Sequence, residues 1–393
     1  MHLRRLQLTN FRNYRDVDLT LAPGRLLFAG DNAQGKSNLL EAVHMLSSSK
    51  SVRASTDVEM IGWALDESGD QPFARLQADV ERKGQDVQLE ALVVGQATRL
   101  NEASTRAGKR FRVNSIARRA IDFVGQLRSV LFTADDLEII SGAPSVRRAY
   151  LDTALSQLDR AYYGAMQRYT RILQQRNASL KRIREGLGGP DELLLWDDSY
   201  VNEGSQLIAA RQARLRRLAE LATESQRDLS GSANESLSVT YEPQLGDEWK
   251  RLLTPDAPLT AVRQLFSTAL TSQRRRDIAA GLSLVGPHRD DFSILLNGVS
   301  AASFGSRAQI RTAALSLRLA EAHLLAGDNS DPPVLLLDDI VSELDEGRRA
   351  AVLSSVEGFD QVWFTSTNIA WLPADFVATC RVFEVRSGAV APS

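Results

Sequence analysis

Two short stretches, far apart in the chain, carry residue types suited to phosphate chemistry. Gly30-Asp31-Asn32-Ala33-Gln34-Gly35-Lys36-Ser37 fits the phosphate-loop pattern G-x-x-x-x-G-K-[ST]. Glycines let such a loop turn its N–H groups inward, and a helix starting there points its positive end at the same spot. Lys36 is then expected to reach the β- and γ-phosphates of ATP, and the Ser37 hydroxyl to ligate Mg²⁺. The second stretch, Val334-Leu335-Leu336-Leu337-Asp338-Asp339, runs four apolar residues into two carboxylates. Asp338 is suited to hold Mg²⁺ through water, and Asp339 to orient or deprotonate an attacking water. Lys36, Asp338 and Asp339 are therefore the catalytic candidates, with Ser37 and Asp338 as metal ligands.

The elements that must position these groups are legible nearby. Arg25–Ala29 reads as a short buried strand, and Ser37–Leu46 as a helix with Leu39, Leu40, Val43 and Leu46 on one face. The loop thus sits between strand and helix. An apolar run such as Val334–Leu337 suits a parallel strand buried on both faces, whose carboxyl end is where open α/β sheets bind ligands. About 300 residues separate the two stretches, more than a simple phosphate-loop domain holds, so a large segment interrupts one core. Upstream, residues 2–30 alternate as an antiparallel hairpin. Strand-like runs fall at Phe73–Val80, Val87–Val94, Phe111–Val113 and Val130–Phe132, with surface turns near Asp66–Asp70 and Asn101–Gly108. From Ser145 to Gln226 the pattern turns helical, broken at Gly186–Pro190. In the helix Tyr162–Ile183, Arg176 falls on the apolar side, where the expectation is that it snorkels. Residues 230–260 read as a strand followed by loops, then a helix runs through Arg274-Arg275-Arg276, a long helix from about Arg307 to Ala326, and strands at Val362–Thr365 and near Arg381–Val385.

Composition sets outer limits. The 393 residues, 43% hydrophobic and 24% charged, are those of a globular protein with two sub-domains or one large insertion. No apolar run approaches the ~20 residues needed to cross a bilayer, and Met1-His2-Leu3-Arg4-Arg5 lacks the apolar core of a signal peptide. One cysteine, Cys380, excludes an internal disulfide and fits a reducing, cytoplasmic setting. The scattered histidines offer no zinc cluster. A net charge of −2 means that any DNA surface must be a local patch.

Taken together, these motifs resemble the RecF family, relatives of the SMC and ABC-type ATPases. The resemblance spans nearly the whole chain. It rests on Asn10-Phe11-Arg12-Asn13-Tyr14, on Gly30 to Leu40, on Phe132–Leu137 with Gly142–Ser145 and Arg147-Arg148, on Gly286-Pro287-His288-Arg289-Asp290-Asp291, and on Leu335–Asp339 with Ser342-Glu343-Leu344-Asp345. The family's Ser-x-Gly-Gln signature is matched by Ser306-Arg307-Ala308-Gln309, with Ala308 where a glycine is usual. Thr365-Ser366-Thr367 stands where many ABC ATPases carry a switch histidine. Both features suggest slow hydrolysis.

The resemblance implies an α/β fold: an ABC-type P-loop ATPase head with antiparallel N-terminal strands and an inserted helical subdomain. Residues 1–144 and 280–393 would form the ATPase lobe and 145–279 the helical lobe. It implies nucleotide contacts from Arg12 and Asn13 beside residues 30–37, and from Ser306 and Gln309 across a homodimer that closes on ATP. It further implies an ATP-dependent DNA-binding protein of recombinational repair, weakly ATP-hydrolysing, which acts on duplex and gapped DNA with RecR and RecO to load RecA. No membrane partner is implied. Arg168, Arg171, Lys181 and Arg182, in a run from Arg160 to Arg184 without an acid, are DNA-contact candidates; a solvated helix face is the equal alternative. Arg106, Lys109, Arg110, Arg112, Arg118 and Arg119 form a second basic patch. His288 and Arg289 fit ATP, DNA or the core equally. Two other classes compete: an SMC-like structural DNA tether, which needs far longer coiled coils than this insertion allows, and a transporter motor, which needs a membrane partner.

Overall fold

The computed structural model describes residues 1–62, 71–95, 107–231, 235–246, 249, 257–327, 331–340 and 344–393. The expected turn at 66–70 and all but the last two residues of that at 101–108, together with Arg106, Ser342 and Glu343, lie outside them; Ala107 and Gly108 open a strand instead. Contacts divide the chain into two units, 1–136 with 321–393, and 137–320.

In chain order the first unit opens with strands β1 (His2–Phe11), β2 (Tyr14–Thr20) and β3 (Gly24–Ala29), then helix α1 (Lys36–Ser48). Strands β4 (Phe73–Arg82), β5 (Gln85–Gly95), β6 (Ala107–Val113) and β7 (Ile116–Arg118) follow, then α2 (Ala120–Phe123) and β8 (Ser129–Phe132). The second unit runs through α3 (Leu137–Ser141), α4 (Pro144–Leu158), α5 (Arg160–Arg184), α6 (Leu194–Ser230), β9 (Leu237–Glu242) and α7 (Leu259–Ala280). It continues through β10 (Asp291–Leu296), β11 (Val299–Ser300), α8 (Ala301–Phe304) and α9 (Arg307–Ala326), within which the division falls. The first unit closes with β12 (Val334–Leu337), α10 (Glu346–Ser355), β13 (Gln361–Ser366), α11 (Ala374–Ala378), β14 (Cys380–Arg386) and β15 (Ala389–Pro392).

Two sheets enclose α1. One is antiparallel, in the order β2-β1-β4-β5-β6-β7. Its strands alternate because one face is buried: Leu6 and Leu8 of β1 pair with Ala78 and Leu76 of β4, and Leu89 and Ala91 of β5 continue the rows. A slip of one residue would turn every one of these side chains to water, so register is fixed. The other sheet, β15-β14-β3-β13-β12-β8, is parallel except for β15. All four residues of β12 are fully buried, which accounts for its unbroken apolar run. Leu39, Leu40, Val43 and Leu46 of α1 join one core with Leu3, Leu76, Val93, Leu131, Leu336 and Trp363.

In the second unit α5 packs along α6 and α7. Arg176 does not snorkel. It is wholly buried, with Nε 2.9 Å from Asp197 Oδ1 and Nη1 2.8 Å from Asp277 Oδ2 and 2.7 Å from Ser283 Oγ. Two carboxylates and a hydroxyl take the place of solvent at Nε and Nη1. The lobe boundaries read from the sequence, 144/145 and 279/280, differ from the contact division at 136/137 and 320/321. The division keeps residues 280–320 with the helices because β10 pairs with β9 over six residue pairs.

Candidate functional site

The P-loop leaves β3 and enters α1, as its pattern demands. Gly35 has φ +118°, in the left-handed region, and a Cβ there would lie 2.6 Å from Asn13 Nδ2 and 2.8 Å from the Tyr14 hydroxyl. At Gly30 a Cβ would lie 2.2 Å from the carbonyl oxygen of Val385. Both glycines are thus held by close approach, and Gly35 by its backbone angle as well. Asn13 Nδ2 donates to the Gln34 carbonyl at 3.0 Å, and the Tyr14 hydroxyl donates to the Gly35 carbonyl at 2.8 Å. The β1–β2 turn therefore sets the loop's shape. The turn between β14 and β15 does the same from the other side: the Ser387 and Gly388 N–H groups donate to Gln34 Oε1 and the Gln34 carbonyl.

Lys36 is buried, and its Nζ donates to the carbonyls of Gly30 at 2.6 Å and Asp31 at 2.7 Å. Burial lowers its pKa, opposed by the charges of Asp339, Asp338 and Asp31. Two of its three N–H donors hold the loop, leaving one for an anion.

Sheet order gathers the rest. β13 lies between β3 and β12, so its carboxyl end stands between the P-loop and the acidic pair. Asp338 Oδ1 accepts from the Ser37 hydroxyl at 2.8 Å and from the Thr365 hydroxyl at 2.9 Å. The Asp339 N–H donates to Thr365 Oγ1 at 2.9 Å, and Asp339 itself has φ +53°. Arg53 Nη2 lies 3.1 Å from Asp338 Oδ2. Around these groups is an open cavity of about 260 Å³, lined by residues including Lys36, Ser37, Arg53, Asp338, Asp339 and Thr367. Among the described residues no cluster of three or more His, Cys, Asp or Glu side chains forms a metal cage. Ser37 Oγ beside Asp338 is instead the sparse oxygen set that suits Mg²⁺ shared with phosphates.

The structure brings Lys36, Ser37, Asp338 and Asp339 together and adds Arg53 and Thr365. Arg53 sits in a polar loop with no motif, and its role depends on the fold. Arg12 is otherwise engaged: its guanidinium makes a bidentate pair with buried Glu41 of α1, at 2.7 and 3.0 Å, and donates to the Glu59 carbonyl. Asn13 touches the P-loop backbone and accepts from Asn38 at 2.8 Å.

In the second unit, Ser306 and Gln309 cap α9 reciprocally. The Ser306 N–H donates to Gln309 Oε1 at 3.0 Å, and the Gln309 N–H to Ser306 Oγ at 3.2 Å. Ala308 is exposed beside them. His288 is half-buried and bound by protein groups on both ring nitrogens. Its Nδ1 lies 2.8 Å from the Tyr169 hydroxyl and its Nε2 3.0 Å from the Ser283 carbonyl, and burial pushes its pKa down to about 4. Arg289 is exposed, with Nε 3.4 Å from the Ser283 carbonyl.

The basic candidates divide by engagement. Arg168 pairs with Glu203 at 2.9 Å, and Arg182 lies 3.7 Å from Glu192, whereas Arg171 and Lys181 are exposed and bind no acid among the described residues. In the second patch Lys109 pairs with Asp57, Arg112 with Glu90 and Arg119 with Asp122, while Arg110 and Arg118 are exposed.

Comparison with known proteins follows the same lines. The family model described as RecF/RecN/SMC N terminal domain matches residues 2–385. A protein named "DNA replication and repair protein RecF" from Chloroflexus aurantiacus is 41% identical, covering 99% of both chains. One of the same name from Synechococcus sp. is 37% identical, covering 100% of this chain and 98% of its own. A solved structure of "the recombination mediator protein RecF-ATPrS in RecFOR pathway" superposes with TM-score 0.85 at 30% identity, covering 100% of this chain and 98% of that one; a second, of RecF-ATP, does likewise with 97%. An Smc head bound to the C-winged helix domain of ScpA, covering 100% of this chain and 98% of its own, matches at TM-score 0.52 and 13% identity, a likeness of fold alone. The architecture is an α/β ABC-type P-loop ATPase head with antiparallel N-terminal strands and an inserted helical subdomain. Matched from residue 2 to residue 385 and along almost the full length of its relatives, the chain belongs to the RecF family within the SMC and ABC-type ATPases.

Proposed function

We propose that this chain is an ATP-dependent DNA-binding protein of recombinational repair, acting as a homodimer that closes on ATP and grips duplex or gapped DNA. The observation that carries the reading is the convergence of Lys36, Ser37, Asp338 and Asp339 on one cavity, with Thr365 buried behind Asp338. RecF relatives solved with ATP, and named for the RecFOR pathway, support ATP as ligand and RecO and RecR as partners; RecA loading is the step this role serves.

Lys36 binds the β- and γ-phosphates with the N–H that its loop contacts leave over. Ser37 and Asp338 would hold Mg²⁺, which neutralises charge developing between those phosphates. Thr365 fixes the Asp338 carboxylate and the Asp339 backbone, so that Asp339 can orient or deprotonate the attacking water. Ser306 and the amino end of α9 complete the site on the partner's nucleotide, an isologous contact in which ATP joins two copies. Ala308, with its methyl group, weakens that approach and slows hydrolysis. Arg12, bound to Glu41, holds α1 rather than nucleotide, while Asn13 shapes the loop. For DNA, Arg171 and Lys181 on α5 are exposed charges without an acid partner among the described residues, with Arg168 and Arg182 beside them; Arg110 and Arg118 are the second candidates. No base-reading motif is apparent, so binding follows the phosphate backbone and weakens with salt.

The test is binding of a labelled gapped duplex with ATP, across a salt series, by wild type and Lys36→Ala. Wild type should bind at least tenfold tighter with ATP than without, and the variant equally in both. Equal ATP dependence in the two proteins would refute the assignment.

A further inference from the structure

Glu235, just ahead of β9, touches two glutamine side chains at once. Its Oε1 accepts from Gln309 Nε2 at 2.8 Å, and its Oε2 from Gln226 Nε2 at 3.1 Å. Gln226 lies wholly buried on α6, the 37-residue helix that packs along basic α5. Its Oε1 accepts from the Ser316 hydroxyl, 2.9 Å away on α9 and equally buried. Gln309 meanwhile uses its Oε1 to accept the Ser306 N–H. A closed circuit therefore links the signature turn, Glu235, α6 and α9.

The chemistry of the circuit depends on a carboxylate. An ionised acid only accepts, so it can face two NH₂ groups, and by doing so it dictates which way each amide points. With Glu235 in place, Gln309 must present its oxygen to the Ser306 N–H. An amide at 235 has one acceptor and one donor. It would meet one of the two NH₂ groups donor to donor, and either Gln309 or Gln226 would have to turn over. Buried polar networks of this kind tolerate no half-satisfied member without cost.

We propose that Glu235 is a positioning residue that couples the signature turn to the α5–α6 arm, so that nucleotide engagement at Ser306 and DNA engagement on α5 favour one another. This rests on the function proposed above and names residues that carry its coupling. Such coupling is reciprocal and is read as a ratio of affinities.

The experiment measures DNA affinity with a non-hydrolysable ATP analogue and without nucleotide. It uses wild type, Glu235→Gln, Gln309→Glu and the double variant. Wild type should show a ratio of about tenfold or more. Each single variant should bring the ratio to within about twofold of one. For Glu235→Gln, thermal stability should fall by no more than the one mismatched hydrogen bond costs, while nucleotide affinity without DNA stays near wild type; the loss of the ratio, and its return in the double variant, are what a merely structural role would not produce. The double variant exchanges donor and acceptor along the same link and restores every hydrogen bond, so its ratio should return to within about threefold of wild type. A wild-type ratio with Glu235→Gln unchanged, or a double variant as uncoupled as the singles, overturns this inference alone. A wild-type ratio of one overturns the proposed function as well.

Discussion

Asp338 and Asp339 are neighbours in sequence but differ in surroundings. Asp338 is fastened by Ser37, Thr365 and Arg53, while Asp339 faces Lys36 across the cavity and is tied to Thr365 through its backbone. The two acids should therefore fail differently. Asp339→Asn removes the group proposed to handle the attacking water and keeps the site's shape; on that proposal ATP turnover should fall on the order of 10²-fold or more while ATP affinity stays within a few-fold. Single-turnover hydrolysis with a parallel binding assay reads this, and unchanged turnover would assign the water-handling role elsewhere. At this scale the sequence was informative where chemistry is local. The spacing from Gly30 to Ser37 declares itself because one turn of chain makes the cradle. Arg53 was not legible, since it sits in a polar loop without a motif, and Thr365 stood out only as the place of a usual switch histidine; its contact with Asp338 exists because β13 lies between β3 and β12.

Among the elements, the α5–α6–α7 packing is organised by charge inside the helices. Arg176 joins Asp197 of α6 to Asp277 of α7, and Asp197 also binds Arg274. Arg176→Met should cost about 3–5 kcal/mol, because Asp277 is left buried without its cation. Denaturant unfolding measures it, and a loss under about 1 kcal/mol would mean that the pair contributes little.

His288 supplies a pH signature in the same unit. Its pKa is lowered from 6.5 to about 4, first by burial, with Arg289, Arg148 and Arg176 adding repulsion against the Ser283 carbonyl. The unfolded chain binds the proton first, so the stability is present above pH 6.5 and lost as pH falls towards 4. The difference in unfolding free energy between pH 7 and pH 4.5 should shrink in His288→Gln by on the order of 2 kcal/mol, allowing for partial exposure. An unchanged difference would contradict a neutral, buried imidazole. Element types and extents were mostly readable, α9 and the alternating strands most directly, because their periodicity records which face is buried. Arg176 misled because periodicity reports a face and not the partners waiting there. The short β15 hairpin was missed because its residues are largely exposed and carry no alternation.

For the whole molecule, the function proposed above is that of a dimer in which each copy lends Ser306 to the other's nucleotide. That arrangement was implied by the signature stretch, and the reciprocal cap of Ser306 and Gln309 now gives it a defined local shape. The two-lobed plan was legible from the long interval between the P-loop and Asp338. The lobe boundary was not, since it depends on β10 returning to pair with β9. The most direct test is sedimentation velocity of wild type, Lys36→Ala and Ser306→Arg, each with ATP and a gapped duplex. The account predicts a DNA-bound dimer for wild type and monomers for both variants. Ser306→Arg assembling as wild type does would contradict it.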